Sequence, residues 1–340
     1  MTEAVTALKK ISGRKYVLMT GNATTSLYLA LKSLNLKPKS NIMIPNISCH
    51  HVPLSVSLAG HKPVLIDIDK SNFGLNLINI KKKYNSKIKV ILAIHSFGKI
   101  CKIKQIENFC KKKKIHLIED SALSIGMMSE NKPVGSFGIS SVFSFGKGKV
   151  LDANGGGALV TDDYSFFKEA ERLSKNLNNR SQKIKKKIRS IDENNKKIYN
   201  NFFIENKKSK IKKEYKKKIL SKSKFFLFKF DNKILRKLHI TYNHIIRIRE
   251  NRKKKFAYLN KNLKKLKKNF FSLPQQLKKN EIPWRYNIFF KKESYRNHIL
   301  KKLLKKNLKI SSWHPRLDLF YNTNNRNYPV SNYLSNRILN

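Results

Sequence analysis

The stretch FSFGKGKVLDANGGGALVTDD (residues 143–163) joins two apolar segments through a loop rich in glycine and lysine. The segments SSVFSF (140–145) and GGALVTDD (156–163) carry the β-branched and aromatic residues typical of strands. The run of three glycines between them permits close backbone approach or a sharp turn. The stretch therefore predicts a pair of strands connected by a glycine-rich loop.

Two lysines lie in this loop, and its glycines shape their surroundings. Gly146 and Gly148 bend the backbone beside Lys147 and Lys149. A lysine held in a tight turn at a strand end can lose contact with water, which lowers the pKa of its amine from the ordinary value of about 10.4. Such an amine can form a Schiff base with a carbonyl group. The alternative is a solvated turn without catalytic function.

The sequence before this loop alternates apolar, strand-like runs with amphipathic, helix-like runs of 8–12 residues. This alternation favours a βαβ series with a mostly parallel sheet, in which ligands bind at the carboxyl ends of the strands. The predicted strands are YVLM (16–19), NIMIP (41–45), KPVLIDID (62–69), KVILAIHS (89–96) and HLIEDSA (116–122). Polar residues follow most of them.

Two of these strand ends carry groups suited to a charged ligand. Residues 21–26, GNATTS, stand between a strand and a helix, where free N–H groups and the helix dipole favour an anion. A simple Thr or Ser N-cap is the alternative there. Glu119-Asp120 ends an apolar strand, where a carboxylate either meets a ligand or caps the next helix. With a lysine, these elements describe a pyridoxal phosphate (PLP) site: a phosphate cradle, a carboxylate and an amine.

The ordered series of motifs resembles the DegT/DnrJ/StrS family of PLP-dependent sugar aminotransferases, within the aspartate aminotransferase superfamily (fold type I). The segments that carry the resemblance are GNATTSLYLAL (21–31), AGHKPVLIDID (59–69), IHSFGK (94–99), HLIEDSALSIG (116–126), KPVGSFGISSVFSFGKGK (132–149) and GGGALVTDD (155–163). The resemblance implies an α/β fold with a mostly parallel central sheet flanked by helices and a smaller α+β C-terminal domain. We expect a large domain over 1–170, a lysine-rich and mostly helical connection over 171–244, and a short C-terminal domain over 245–340.

The resemblance also implies roles for individual residues. Lys149, rather than Lys147, would bond to the cofactor aldehyde and then carry the proton of the transfer, because the family places its lysine five positions after the serine. Asp120 would pair with the pyridine nitrogen and keep it protonated. The phosphate would be held by Thr24, Thr25 and Ser144.

Three positions differ from the family pattern. A glutamine usually found three residues after the aspartate is Leu123 here. The aromatic residue that usually stacks on the cofactor ring falls near Cys49-His50, so His50 is the expected ring contact. An asparagine that the family takes from the partner subunit, expected between 171 and 240, has no identifiable counterpart.

The resemblance implies a transaminase that moves an amino group, with glutamate as the donor, onto a nucleotide-linked keto-sugar in surface polysaccharide or amino-sugar biosynthesis, working as a homodimer. The alternative is a degenerate protein of the same fold that binds the cofactor or an anionic partner without turnover. Dehydration of a sugar is disfavoured because the family's dehydratases replace the lysine, which is retained as Lys149.

Charge and composition limit the other classes of function. The chain has 74 Lys and Arg residues against 21 Asp and Glu, a net charge of +53, and 49 of the basic residues lie in 171–340. Lysine dominates over arginine, and Asn and Ile are abundant, so A/T-rich codon usage explains the excess better than nucleic-acid binding. We therefore expect no nucleic-acid partner.

Cysteine and hydropathy patterns complete the sequence-based expectations. Three cysteines cannot form a disulfide scaffold, and Cys49-His50-His51 has no second ligand pair at zinc spacing, so no metal site is expected. The sequence has neither a signal-peptide pattern nor an apolar stretch of 18 residues, so no membrane span is expected. These features predict a cytoplasmic protein.

Overall fold

A computed structural model describes residues 3–203, 211–266, 269–274, 276–321 and 327–340. Seven strands form the main sheet, and the apolar runs predicted from the sequence supply them. The first five are β1 (Tyr16–Thr20), β2 (Asn41–Pro45), β3 (Lys62–Ile66), β4 (Ile88–Ile94) and β5 (His116–Asp120). A separate two-stranded hairpin of β6 (Met128–Ser129) and β7 (Lys132–Pro133) follows. The last two strands of the main sheet are β8 (Ser140–Ser144) and β9 (Gly157–Thr161).

The main sheet is mostly parallel, as the alternation of strand and helix patterns predicts. Its strand order is β1-β9-β8-β5-β4-β2-β3, and the pairs from β8 to β3 are all parallel. Only β9 runs against its neighbours β1 and β8. The predicted strand pair formed by 140–145 and 156–163 is therefore confirmed as an antiparallel β8–β9 pair.

Helices cover both faces of the sheet. They are α1 (Glu3–Ser12), α2 (Ala23–Ser33), α3 (His51–Leu58), α4 (Leu77–Lys83), α5 (Ile103–Lys113), α6 (Tyr164–Lys175), α9 (Leu235–Asn243) and α10 (Ile245–Leu263). Between α6 and α9 in the chain, α7 (Gln182–Phe203) and α8 (Ile211–Lys218) pack instead in a cluster with the C-terminal part. Alternate residues of β4 show the two buried faces: Leu92 packs in the cluster with α2 and α3, and Ile91 in the cluster with α4 and α5. Burial on both faces explains why residues 90–94 of this strand are all apolar.

A small C-terminal sheet stands apart from the main one. It has the order β10-β11-β12, formed by β10 (Phe271–Ser272), β11 (Ile288–Phe290) and β12 (Ile338–Leu339), with α11 (Glu293–Lys305) and α12 (Pro329–Arg337) beside it. The expected α/β architecture of fold type I, with a smaller α+β C-terminal part, is thus confirmed. The described part of 171–244 is mostly helical, and the division of the chain into three domains stays a prediction.

The segment ISSWHP (310–315), which its apolar and β-branched residues predict to be a strand, is not one. This segment has no strand assignment, although Ser311 exchanges two backbone hydrogen bonds with Asn340, of 2.6 and 2.7 Å. The pairing ends after that residue because His314-Pro315 turns the chain toward Asn46, which accepts from the Leu317 N–H at 2.7 Å. A proline lacks the N–H that a continuing ladder needs.

Candidate active site

A cavity of about 430 Å³ opens at the carboxyl ends of the parallel strands, where this class of sheet binds ligands. It brings together residues that are more than 120 positions apart in the chain. Four of the predicted site residues line it: Thr24, Asp120, Ser144 and Lys149. Strands β5 and β8 are adjacent and parallel, and Asp120 pairs with Val142, so Ser144 lies two residues further along β8 at the same edge of the sheet.

The N-terminus of α2 forms one wall of this cavity. Asn22 is the N-cap, and its side-chain oxygen accepts from the Thr25 N–H at 2.8 Å. The N–H groups of Ala23 and Thr24 have no intrahelical partner, because they belong to the first turn. They point the positive end of the helix dipole at the cavity, which suits a phosphate.

Close backbone approach explains two glycines around this helix end. A Cβ at Gly157 would lie 2.6 Å from the carbonyl carbon of Asn22, so β9 can pass the helix N-terminus only without a side chain there. A Cβ at Gly21 would lie 2.2 Å from the Phe228 ring. The predicted role of the triple glycine in allowing close approach therefore has a structural basis at Gly157.

A strap formed by residues 226–228 closes over the same helix end. Its Phe226 carbonyl accepts from the Asn22 amide at 2.9 Å and from the Thr25 hydroxyl at 3.1 Å. Its Phe228 carbonyl accepts from the Gly21 N–H at 3.1 Å. This placement differs from the expectation for Thr25: its hydroxyl is fully buried and bonds to the strap, whereas Thr24 faces the cavity.

Asp120 ends β5 and is 5% exposed. Its carboxylate accepts from the Ala122 N–H at 2.9 Å. Burial raises the pKa of this carboxyl group, although the Ala122 hydrogen bond and the Lys149 charge act in the opposite direction. A partly desolvated carboxylate of this kind is suited to a cationic partner rather than to water.

A buried pair of side chains supports the end of β5 from behind. Glu119 Oε1 lies 2.8 Å from His95 Nε2, and both side chains are fully buried. The Cys101 N–H donates to His95 Nδ1, so Nε2 carries the proton and donates to Glu119. Glu119 also accepts from the N–H groups of Gly135 and Phe137. His95 therefore has a structural role behind the end of β5.

Lys149 lies in the tight turn that the glycines predict. Its N–H donates to the Gly146 carbonyl at 3.1 Å, and Gly148 has a φ of +83°. Burial lowers the pKa of the Lys149 amine, and the charges of Arg285 and Arg252 add to this fall against the opposing effect of Cys49 and Asp120. Lys147 also lines the cavity but is exposed. The electrostatic surroundings thus favour Lys149 as the nucleophilic amine.

Aromatic side chains from the C-terminal part face Lys149. The Lys149 ammonium nitrogen lies 6.0 Å from the centroid of the Trp284 ring. Trp284 stacks on His314 with centroids 5.5 Å apart and planes within 4°. Burial, with the Lys149 and Arg285 charges, holds the pKa of His314 well below its usual range, so the ring is neutral. His314 is therefore close to the Lys149 amine.

The segment Cys49-His50-His51 departs from the expectation for the ring contact. Cys49 and His51 line the cavity, and His51 Nδ1 lies 3.1 Å from the Thr24 hydroxyl. His50 is 3% exposed and lies beside the Asn195 amide at 3.3 Å. Because α3 begins at His51, the helix turns His50 away from the cavity and His51 toward it. Sequence spacing alone could not distinguish these neighbours.

The possible metal-ligating atoms of Cys49, His50 and His51 lie within 4.8 Å of one another. The pKa of His51 is lowered to about 4 by burial and by the Lys149 charge. A cation beside Lys149 would be repelled by the same charge. The expectation of no metal site stays a prediction.

Sequence reasoning missed Arg180 altogether. It lies in the segment between α6 and α7 and lines the cavity, with its guanidinium 5.1 Å from the centroid of the Phe228 ring. Its buried Nε has no hydrogen-bond partner among the residues that the structure describes. An isolated arginine in a lysine-rich region carries no local signal, and only the packing of the strap reveals it.

A second cavity of about 430 Å³ lies between the C-terminal sheet and the loops that follow β3 and β4. Its walls include the rings of Phe73, Phe97 and Phe289, and its cations include Lys70 and Arg285. The Arg285 guanidinium lies 4.4 Å from the centroid of the Trp284 ring, whose surroundings include Lys149. Arg285 and Trp284 therefore link the two cavities.

Cys49, Cys101 and Cys110 are all free thiols. Among the helices in the described ranges, none has both the length and the apolar character needed to cross a bilayer.

The fold and this arrangement of side chains agree with the sequence comparison. The model of the DegT/DnrJ/EryC1/StrS aminotransferase family matches residues 3–201. The matched region contains the main sheet, α2, Asp120 and Lys149. The chain belongs to this family, which confirms the resemblance identified from its motifs.

Curated relatives of the chain include two sugar-nucleotide enzymes. GDP-perosamine synthase of Escherichia coli O157:H7 is 29% identical over 153 residues, covering 45% of this chain and 42% of the relative. UDP-N-acetyl-3-dehydro-alpha-D-glucosamine 3-aminotransferase of Acidithiobacillus ferrooxidans is 30% identical over 170 residues, covering 50% of this chain and 45% of the relative. The chain thus spans less than half the length of these relatives.

Solved structures match over nearly the whole chain. GDP-4-keto-6-deoxy-D-mannose-3-dehydratase of E. coli, with bound hydrated PLP, superposes with a TM-score of 0.70 at 19% identity, covering 99% of this chain and 85% of that one. At this identity the likeness shows the fold.

Proposed function

We propose that this chain is a PLP-dependent transaminase that transfers an amino group, with glutamate as the donor, to a keto-sugar carried by a nucleotide. The observation that carries the proposal is the meeting of Lys149 and Asp120 in one cavity whose opposite wall is the N-terminus of α2. An amine, a carboxylate and an anion cradle match the aldehyde, ring nitrogen and phosphate of PLP in type and in number. The buried, unpartnered Nε of Arg180 adds an unused donor to the same cavity.

When bound, PLP supplies an aldehyde that reacts with amines and a conjugated ring that accepts electron density from the substrate carbon. The protein's own groups bind it, orient it and move protons. Asp120 holds a proton at the ring nitrogen, because a buried carboxylate stabilises a cation beside it. The first turn of α2 and the Ser144 hydroxyl bind the phosphate.

Lys149 acts as the base that moves a proton between the substrate carbon and the carbon of the cofactor aldehyde. Its lowered pKa supports this role, since a neutral amine is needed to accept a proton. Cys49 and His51 line the same cavity, and Trp284 and His314 would limit access of water to the Lys149 amine.

The second cavity supports a nucleotide-linked substrate. Flat aromatic side chains such as Phe73 and Phe289 suit a nucleobase, and Lys70 and Arg285 suit a diphosphate. The names of the two curated relatives contain GDP and UDP, which agrees with such a substrate. Synthesis of amino sugars for surface polysaccharide, a homodimeric state and a cytoplasmic location form part of this proposal and rest on the family membership.

Covalent trapping of the cofactor tests the proposal. The purified protein is mixed with PLP, its visible spectrum is recorded, and the adduct is reduced with borohydride and mapped by peptide mass spectrometry. We expect a single labelled site at Lys149, conversion of the spectrum by glutamate, and loss of the label in Lys149→Ala. Lys147→Ala is the matched control and should keep the label, because Lys147 lies in the same turn but is exposed.

The same experiment separates the alternatives. Label at Lys149 without any change on adding glutamate and a nucleotide-linked keto-sugar would support the degenerate, cofactor-binding protein. Label scattered over surface lysines would contradict both, because the cavity would then not select its amine.

A further inference from the structure

We propose that Arg180 is the phosphate-binding cation of the cofactor site, supplied by the chain itself from the segment between α6 and α7. The inference rests on the proposed function, since it assigns the anion that this residue meets. It concerns the one arginine that lines the cavity among the described residues.

The position of Arg180 is fixed by the strap of residues 226–228. Its guanidinium lies against the Phe228 ring at 5.1 Å, a cation–π contact that orients the planar group. Phe228 itself cannot move freely, because its carbonyl accepts from the Gly21 N–H and its N–H donates to the Thr25 hydroxyl at 3.4 Å. The strap therefore holds the guanidinium at the N-terminus of α2.

The neighbouring backbone also leaves room for this side chain. A Cβ at Gly155 would lie 3.5 Å from Arg180 Nη1, so the glycine-rich loop passes directly beside the guanidinium. Ser144, at the end of β8, lines the same cavity. The loop, the helix end and the arginine thus surround one region of the cavity.

The hydrogen-bonding capacity of Arg180 is not used within the described protein. Its Nε is buried and has no partner there, and a buried donor without an acceptor is costly. The groups at this end of the cavity can all donate hydrogen bonds: they are the Arg180 guanidinium, the N–H groups of the first turn of α2 and the Ser144 hydroxyl. A phosphate dianion satisfies all of them, and arginine can bind it through two parallel hydrogen bonds.

The residues proposed to meet the ring and the aldehyde of the cofactor lie on other elements than Arg180. Asp120 ends β5, and Lys149 lies in the turn beyond β8. Arg180 packs against the strap instead, so its effect should depend on the phosphate of the ligand and not on its ring. This separation makes the proposal testable with a ligand that lacks the phosphate.

The test compares the binding of PLP and of pyridoxal to apo-protein by Trp284 fluorescence and by the visible spectrum. In Arg180→Met we expect PLP to bind about 10- to 100-fold more weakly, the range for losing a hydrogen bond to a charged group. Pyridoxal should bind equally to the variant and to the unmodified protein. Arg180→Lys should lose less than Arg180→Met, because it keeps the charge but not the planar fork.

Arg189→Met is the matched control, since it removes the same charge from an exposed position in α7. A second readout needs no cofactor: inorganic phosphate should raise the thermal midpoint of the apo-protein, and less so for Arg180→Met. Melting in phosphate-free buffer verifies that the variant is folded.

Three outcomes would overturn the inference. Equal weakening of PLP and pyridoxal would mean that Arg180 shapes the cavity, and unchanged PLP binding would mean that it does not meet the phosphate. Either result leaves labelling of Lys149, and with it the proposed function, intact. Failure of the unmodified protein to bind PLP at all would contradict the proposed function as well.

Discussion

The guanidinium of Arg252 donates a hydrogen bond of 2.8 Å to the backbone carbonyl of Lys149. It also donates to the carbonyl of Gly148 at 3.0 Å, and through its other terminal nitrogen to the carbonyls of Pro283 at 3.3 Å and Trp284 at 3.2 Å. The Arg252 side chain, on α10, thus joins the turn that contains Lys149 to the segment Pro283-Trp284, which faces the Lys149 amine. A planar group with several donors is required for such a bridge.

Replacing Arg252 should raise the pKa of the Lys149 amine. Arg252→Met removes a nearby positive charge and opens the turn to water, and both changes favour the ammonium form. Arg252→Lys should raise the pKa less, because it keeps the charge and loses only the bridge. The pH dependence of PLP attachment to Lys149 measures this pKa.

Arg247→Met is the control for the Arg252 variants, since it removes an exposed charge from the same helix. A fall in the melting temperature of Arg252→Met without any change in the pH dependence would show that the bridge acts on stability alone.

Asp120→Asn should slow transamination by roughly 10²- to 10⁴-fold, the usual effect of losing a proton-holding group. The amide cannot keep the ring nitrogen protonated, but it has nearly the same shape and can still accept from the Ala122 N–H. PLP should therefore still attach to Lys149. Single-turnover kinetics with glutamate, followed in the visible spectrum, make the measurement, and a rate within threefold of the unmodified enzyme would contradict the role assigned to Asp120.

Arg285→Met should raise KM for a nucleotide-linked sugar by about 10- to 100-fold through the loss of a charged hydrogen bond to the diphosphate. The reaction with glutamate alone should be affected much less, because glutamate does not reach the second cavity. Steady-state kinetics with both substrates separate the two effects. A similar loss with glutamate would mean that Arg285 acts through Trp284 and not through the nucleotide.

Acid should destabilise the protein below about pH 6.5 because three of its histidines, His50, His51 and His314, are held neutral in the folded chain. The pKa of His51 falls to about 4, and those of His50 and His314 lie well below the usual value, in each case chiefly through burial. Below pH 6.5 these residues gain protons in the unfolded chain but not in the folded one, so the free energy of unfolding falls as the pH falls.

Urea denaturation of the apo-protein at pH 7.5 and pH 5 measures this loss. His51→Gln should lose less stability between the two values, by no more than about 3 kcal/mol, because glutamine does not titrate. An equal loss in the variant would assign the acid sensitivity to other groups.

The sequence by itself determined the strand order along the chain, the mostly parallel sheet and four residues that the fold brings to one cavity, Thr24, Asp120, Ser144 and Lys149. These features depend on local patterns: apolar periodicity, a small polar turn before a helix, and glycines beside a lysine. Each pattern lies within about ten residues, so it can be recognised without knowledge of the packing.

Only the tertiary structure decided how distant segments meet at this site. The register of α3 turns His51 rather than His50 into the cavity, and the strap of 226–228 brings Arg180 to a helix more than 150 residues before it. Arg252 joins two loops that are far apart in the chain. Such contacts follow from the packing of whole helices and strands. The charge and polarity of a single residue do not predict which distant element it will contact.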